Sequence, residues 1–440
     1  MIKMLRLKQF FKRTKVEEVF TPAVAANLKL NYIERKPLIT QLNHFFQTAG
    51  KQIVVFGYSG SGKTTLITNE LKRNKIEYIK THCSQNTTFE ELMLNVFDEL
   101  DVVYKKSTNC KINSSISADY MKIKSSIGAE KVDVYERIVP PQLTKKKLAT
   151  FLGEAKCYWI IEDLHKLNES NKRKVADALK EFIDIAIEYP NVKVICLGAL
   201  NSSKNLIELD PNLTDRVADF NVPLMTDDEI KMLIENGFHI LNLYISEKHK
   251  QRIISLSNNI ASVAHQLCLN ICHNLSYPNM SFFNVPTITD ETIDCSIKDY
   301  INEKSGRFKS LLDRVLAIKK DRNLGRKILK LFIDVDFEGV YVDDIYKKFK
   351  TFPQDTIKGI LDSLCTSKYD EAFRYDEDSE KLKLVNPFFQ VYIKMYFQNE
   401  SNMSKKKYGS NIWTRDYKEF IEALNMIVLN ENSKFTIKID

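Results

Sequence analysis

Gly57-Tyr58-Ser59-Gly60-Ser61-Gly62-Lys63-Thr64-Thr65 is the stretch that decides the fold. It brings three of the chain's 13 glycines close together and follows them with Lys and Thr, in the pattern G-x-x-x-x-G-K-T. Upstream, Gln52-Ile53-Val54-Val55-Phe56 is a short apolar, β-branched run, as expected of a strand buried on both faces. Downstream, Leu66–Arg73 has helical spacing and no breaker. Strand, glycine-rich loop and helix in that order make a cradle for phosphate. The glycines let successive backbone N–H groups, among them those of Ser59, Gly60, Ser61 and Gly62, turn inward at a helix N-terminus. Lys63 is placed to neutralise β- and γ-phosphate oxygens, and the Thr64 hydroxyl to complete a Mg²⁺ ligand set, with Thr65 beside it.

Such a site needs carboxylates opposite the loop. Cys157-Tyr158-Trp159-Ile160-Ile161 is a second continuous apolar run, and it ends in Glu162-Asp163. Two acids at the carboxyl end of a parallel strand can hold a metal and orient an attacking water. By position Glu162 takes the metal role and Asp163 the catalytic one, so the metal set reads Thr64, Glu162 and Asp163. The short side chain of Asp163 predicts slow turnover. Glu77–Cys83, Val192–Gly198 and Phe220–Leu224 read as three further strands, with helical patterns at Phe89–Leu100 and Asn171–Tyr189 between them. Alternation of this kind predicts a parallel sheet covered on both faces.

The whole chain of 440 residues has room for two to four domains at roughly 150 residues each. Lys plus Arg is 65 against 57 for Asp plus Glu, a net +8, too even for a histone-like or arm-type nucleic-acid binder. Only 13 Gly and 11 Pro exclude collagen-like and linker-like architectures, and 44% apolar content excludes disorder as the main state. The eight cysteines are scattered, several inside apolar runs, which fits free buried thiols in a reducing compartment. No apolar run approaches the 18 or so residues of a membrane span, and basic residues run through Met1–Lys15 where a signal peptide would be apolar. The expectation is a cytoplasmic protein without a membrane partner. Residues 1–30 read as a basic N-terminal helix that packs Leu5, Phe10 and Phe11 on the body or a partner, with anionic lipid or nucleic acid as the alternative contact.

On these motifs the chain resembles, across residues 30–400, the P-loop ATPases of the AAA+ and STAND type. The resemblance implies an α/β fold: a P-loop NTPase core with a five-stranded parallel sheet of the ASCE, AAA+-like kind (31–225, with an insertion at 101–141), a helical lid (226–304), a C-terminal winged-helix domain (305–400) and a tail (401–440). It implies ATP and Mg²⁺ as cofactors. Asn31-Tyr32-Ile33-Glu34-Arg35-Lys36-Pro37-Leu38 looks like the family's opening motif, with Glu34 where Gly is usual. In relatives this segment borders the adenine, so Tyr32, Ile33 and Arg35 join Gly57 and the loop residues as expected nucleotide contacts. Glu162-Asp163 looks like a Walker B pair in reversed order, since relatives carry Asp then Glu. Asn201 is nearest to the family's γ-phosphate sensor. Asp210–Val217 is similar to the segment that carries an arginine finger, which makes Arg216 a group acting across a subunit boundary. A local salt bridge of Arg216 to Asp215 or Asp219 is the alternative. Ala261 stands where many relatives carry a basic lid sensor.

Amphipathic helices fill Asp227–Tyr277. His265, Cys268, Cys272 and His273 have the residue types of a metal site, but the first three share a helical face with Ala264, Leu267 and Ile271 and read as core. Farther on, helical patterns at Gly325–Ile333, Val342–Phe349 and Ile357–Leu364 precede two strands, Ala372–Tyr375 and Lys381–Val385, around an acidic turn. Three helices and a hairpin read as a winged helix. Asn386–Tyr392 resembles the segment that closes this module in prokaryotic STAND ATPases. The third helix carries Asp355, Lys358 and Asp362 and so is not basic, and with the acids of the turn this argues against duplex binding through this module. The resulting expectation is an ATP-binding and hydrolysing switch that forms a homo-oligomer on ATP binding and signals to a protein effector or sensor, in a setting such as anti-phage defence. The alternative is a DNA-associated AAA+ loader or transposition-type regulator that uses Lys72, Arg73 and Lys75 or the run Lys145-Lys146-Lys147. A nucleotide-binding scaffold without turnover is a third.

Overall fold

The structure is a computed structural model that describes residues 14–24, 26, 30–107, 143–199, 210–276, 287–318, 323–333, 335, 337–376 and 379–402. Asn201, nearly all of Met1–Lys15, the 101–141 insertion beyond Ser107 and the tail beyond Asn402 lie outside the described residues. The chain divides into two compact units, residues 1–245 with 259–269, and residues 246–258 with 270–440.

In the first unit, β1 (Gln52–Phe56), β2 (Glu77–His82), β3 (Cys157–Glu162), β4 (Val194–Leu197) and β5 (Val217–Asn221) form one parallel sheet in the order β2-β3-β4-β1-β5. The continuous apolar runs have a direct cause. Successive side chains of a strand point to opposite faces, and here both faces are core. Cys157, Trp159 and Ile161 enter one cluster with Phe89 and Phe182, while Tyr158 and Ile160 enter the other with Leu42, Ile67 and Phe220. The helices that cover these faces are α1 (Lys36–Gln47), α2 (Lys63–Arg73), α3 (Phe89–Ser107), α4 (Lys145–Ala155) and α5 (Glu169–Asp184). Trp159 Nε1 finds Thr81 Oγ1 at 2.9 Å, so the largest buried side chain leaves no donor unpaired.

Two boundaries move. The fifth strand, expected at Phe220–Leu224, lies three residues earlier, at Val217–Asn221. Pro223 has no N–H for a ladder, and pairing ends where the Val222 N–H donates to Phe56 O at 2.8 Å. The helix expected over Asn171–Tyr189 ends at Asp184 and tightens into a 3₁₀ turn, Ile185–Ile187. At the N-terminus the expected helix of residues 1–30 is, among the described residues, a single turn, Val16–Val19. It ends because Phe20 turns inward onto Phe238 (ring centroids 5.3 Å apart), and Pro22 cannot continue it. Phe238 belongs to α6 (Asp227–Ile240), where Gly237 is the seat of that ring: a Cβ there would lie 2.3 Å from Phe20 Cε1.

Three elements follow: α7 (Glu247–Ser257) in the second unit, α8 (Ala261–Asn274), which gives its first nine residues to the first unit, and α9 (Asp290–Leu316). The lid boundary expected at 304–305 falls inside α9, an uninterrupted helix of 27 residues. Ile293, Ile297, Tyr300, Phe308, Leu311, Leu312 and Val315 keep one buried stripe along it, so the chain has no reason to break there. The second unit continues with α10 (Leu324–Leu331), β6 (Val340–Tyr341), α11 (Val342–Lys348), α12 (Gln354–Leu364), β7 (Phe373–Asp376) and β8 (Lys381–Leu384), then a helix over 387–402. The three strands pair antiparallel in the order β6-β8-β7 around a core that includes Ile328, Ile345, Leu364 and Phe389. The helices and hairpin expected of the C-terminal module are therefore present, with one short strand added.

A buried lysine braces the sheet. Lys193, just before β4, is fully buried, and its Nζ donates to Thr48 O and to Lys51 O (3.0 Å). Burial pushes its ammonium down to about 8. Lys193→Met leaves both carbonyls without that donor and should cost about 2 kcal/mol of stability in urea unfolding.

Candidate functional site

β1 delivers the chain into the loop at Gly57. Here φ is +150°, and a Cβ would lie 2.3 Å from Val222 O, so only glycine fits between the neighbouring strands. Gly62 caps α2 with φ +87°, in the left-handed region. Lys63 Nζ donates to Gly57 O (2.9 Å) and Tyr58 O (2.8 Å), and thus sits inside the loop rather than in solvent. Burial lowers its ammonium to about 8, partly offset by the nearby charge of Asp163.

The loop and the acidic pair, far apart in sequence, meet here. Thr64 Oγ1 donates to Glu162 Oε1 at 3.0 Å. The same carboxylate lies 3.3 Å from Lys80 Nζ and 2.9 Å from His82 Nδ1, both on β2. Asp163 follows in the left-handed conformation, φ +60°, which Asp tolerates better than most residues, and its Oδ2 is 2.7 Å from Lys166 Nζ.

These groups open into a cavity of about 610 Å³ that is also lined by Thr21, Asn31, Tyr32, Ile33, Arg35, Ser59, Leu233, Ala261, Ser262 and His265. That volume falls within the range of about 300–1,000 Å³ usual for small-molecule sites. Thr21 Oγ1, Asn31 Oδ1, Tyr32 OH, Ser61 Oγ and Ser262 Oγ are buried and without a hydrogen-bond partner. Buried polar atoms are normally paired, so five unpaired ones around one cavity mark a place shaped for a polar ligand. Burial raises the Tyr32 phenol far above its usual range, so it stays neutral. Burial also pushes the His265 imidazole down to about 4. Because its Nδ1 accepts the Thr21 N–H at 3.2 Å, the neutral ring carries its proton on Nε2.

Other expected site residues have different company. Arg35 borders the cavity, but its guanidinium is taken by Glu229 (3.1 Å), Pro223 O (2.8 Å) and Leu224 O (3.0 Å). It clamps the opening segment to α6 and to the exit of β5. Arg216 lies at the other end of the sheet: its carbonyl accepts from Gln52, the first residue of β1, whereas the loop follows the last. About 17 Å of strand separate it from the loop of its own chain, at about 3.3 Å per residue. Its side chain ion-pairs with Asp184 at 3.8 Å. Cys268 and Cys272 are fully buried, and among the described residues no group of three His, Cys, Asp or Glu is arranged to hold a metal. Thr64 with Glu162 and Asp163 instead matches what Mg²⁺ asks of a protein, one or two carboxylates beside phosphate and water.

Lys80, His82, Thr21, Ser262 and His265 also border the site, outside the motifs that mark it in the sequence. The first two carried a signal. Alternation in Glu77–Cys83 puts Lys80 and His82 on one face, and pairing to β3 sets His82 opposite Glu162. The others come from remote segments and carried none.

No protein family and no curated protein matches the sequence. Solved structures do share its fold. The Walker-type ATPase of Pyrococcus abyssi superposes with a TM-score of 0.51 at 14% identity, covering 84% of this chain and 99% of that one. Looser likenesses are the RuvB Holliday junction branch migration motor of Thermotoga maritima (TM-score 0.39, 13% identity, 81% and 94% covered) and the ORC2 protein of Aeropyrum pernix, solved in ADPNP and ADP complexes (0.44, 10%, 89% and 99%). The fold is that of a P-loop, AAA+-like α/β protein: a five-stranded parallel sheet with helical lid elements and an additional C-terminal region of helices and strands.

Phosphate bound beside Lys63 favours its ammonium form and raises its pKa from about 8. Binding of inorganic tripolyphosphate near pH 8 should therefore include proton uptake by Lys63, set against release from the ligand's own last ionisation, and the lysine's share of the affinity should fall as pH rises further. Calorimetry in two buffers of different ionisation heat measures the uptake, which Lys63→Ala should abolish.

Proposed function

We propose that this chain binds ATP with Mg²⁺ and hydrolyses it slowly, so that nucleotide state drives a change in conformation and assembly. The observation that carries the reading is the meeting of Thr64 with Glu162 in the cavity that holds Lys63 and the unpaired polar atoms. Loop N–H groups from Ser59 to Gly62 and the Lys63 ammonium hold the phosphates, while Thr64 and Glu162 hold the metal. Bound there, Mg²⁺ neutralises charge on the phosphate oxygens. Asp163 orients the attacking water, in exchange for its bond to Lys166. Tyr32, Ile33, Ser262 and His265 surround the base. Arg216, too far from its own loop, serves the loop of a second copy, which ties turnover to oligomer formation.

The anti-phage setting has no support in the fold or the comparisons. DNA association is the better-supported output. The T. maritima protein is named as a motor on Holliday junctions, and this chain keeps Lys72, Lys75 and Lys146 exposed on its ATPase unit. Arg73 is less available, because it pairs with Glu34 and Glu70. The C-terminal module, read as a winged helix, keeps Asp355 and Asp362 exposed on α12, so contact through the ATPase unit is the form this reading takes.

Calorimetry with Mg²⁺ should show ATP uptake that Lys63→Ala weakens by about tenfold or more. Absence of uptake overturns the reading. Asp163→Asn and Arg216→Ala should each keep ATP binding and lose turnover by at least about tenfold, measured as phosphate release. Duplex DNA affinity should fall steeply with added salt, and no binding at low salt removes the DNA output.

A further inference from the structure

Lys80 brings a cation from β2 to the acidic end of β3. Of its strand neighbours, Ile79 and Thr81 are buried and belong to the packed sheet, whereas Lys80 is a half-buried cation on the face that carries Tyr78 and His82. A lysine stem turned inward from a strand costs desolvation unless its charge is used. Its ammonium is 3.3 Å from Glu162 Oε1, the same oxygen that accepts from Thr64, and it lines the cavity that holds Lys63 and Asp163. The other cations that line this cavity, among the described residues, are Lys63 and Arg35. Arg35 is committed to Glu229 and two carbonyls. The cavity's lid side offers the apolar Ala261 and a neutral His265. Lys80 is therefore a cation of the site beyond the loop lysine that shares its partner with the metal-binding pair.

Resting on the nucleotide reading above, we propose that Lys80 supplies, from within the same chain, the positive charge for the terminal phosphate of the bound triphosphate, and so makes the site distinguish tri- from diphosphate. Its place follows from its partners. Thr64 and Glu162 stand at the phosphate end of the cavity, whereas Thr21, Asn31 and His265 line its other walls. When Glu162 turns to a metal, the Lys80 ammonium gives up that carboxylate and finds terminal phosphate oxygens instead. One anionic partner replaces another, so the ammonium is never left buried and unpaired. A charge-assisted bond of this kind is available to a triphosphate and absent for a diphosphate.

The test is the ratio of two affinities, measured by calorimetry with Mg²⁺ for the non-hydrolysable analogue AMP-PNP and for ADP. Lys80→Met should weaken AMP-PNP by about tenfold and move ADP by less than about twofold, and Lys80→Arg should restore most of the ratio. If both nucleotides weaken together, Lys80 only steadies Glu162 and the proposal is overturned. An unchanged ratio overturns it as well. Failure of the native chain to take up either nucleotide is a different result, because it removes the nucleotide reading itself. Circular dichroism and urea midpoints of both variants, expected to match the native chain, separate these outcomes from misfolding.

Discussion

One hydrogen bond, from Thr64 to Glu162, joins two stretches of chain that lie 98 residues apart. It is possible only because β1 and β3 run parallel on either side of β4 and end at the same edge of the sheet. A parallel sheet puts every strand's carboxyl end on one side, and ligand sites gather there. The glycines of the loop then let α2 begin directly at that edge, with its N-terminus aimed at the carboxylates. Slip β3 by one residue and the carboxylate leaves the hydroxyl, because side chains alternate faces along a strand. Register, loop and acidic pair are thus one constraint.

Much of this is legible in the sequence because buried parallel strands and phosphate loops leave unambiguous marks. Ile53-Val54-Val55 and Tyr158-Trp159-Ile160-Ile161 are apolar throughout since each strand feeds two cores. The fifth strand was harder, with its burial alternating and Asp219 and Asn221 exposed. A run such as Phe220–Leu224, with apolar residues around a proline, then looked more strand-like than Val217–Asn221. The opposite end of the cavity was illegible for another reason. Thr21, Ser262 and His265 are ordinary residues in ordinary patterns, and only the burial of Phe20 against Phe238 and Gly237 brings Thr21 beside His265. The helical stripe around His265 has the pattern of core, and Cys268 and Cys272 are fully buried in it. At His265 the same stripe reaches the cavity wall.

Adjacent residues of opposite charge, Glu34 and Arg35, link the parts of the first unit that border the cavity. Arg35 reaches Glu229 on α6 and the carbonyls of Pro223 and Leu224. Glu229 divides its carboxylate: Oε1 takes Arg35, while Oε2 accepts the Thr226 N–H at 2.9 Å as half of the capping box that begins α6. Breaking this nearly buried pair would therefore loosen a helix start as well as expose a charge, and such losses typically cost about 3–5 kcal/mol. Glu34 turns the other way, to Arg73 in the last turn of α2, and Arg73 in turn lies 3.3 Å from the fully buried carboxylate of Glu70, whose pKa burial raises against that pairing.

The helix that starts at the phosphate loop is thus connected through Arg73, Glu34, Arg35 and Glu229 to the helix that stands over the cavity. Each link is an ion pair, with the peptide bond between Glu34 and Arg35 in the middle. One of the two pairs is shielded from water, with Arg35 and Glu229 side chains 8% and 18% exposed. Pairs so shielded resist screening by salt and hold their geometry, whereas the outer Arg73–Glu34 pair, with both partners partly exposed, is the weak point of the series. Any relative displacement of α2 and α6 would therefore strain the exposed Arg73–Glu34 pair before the buried Arg35–Glu229 pair.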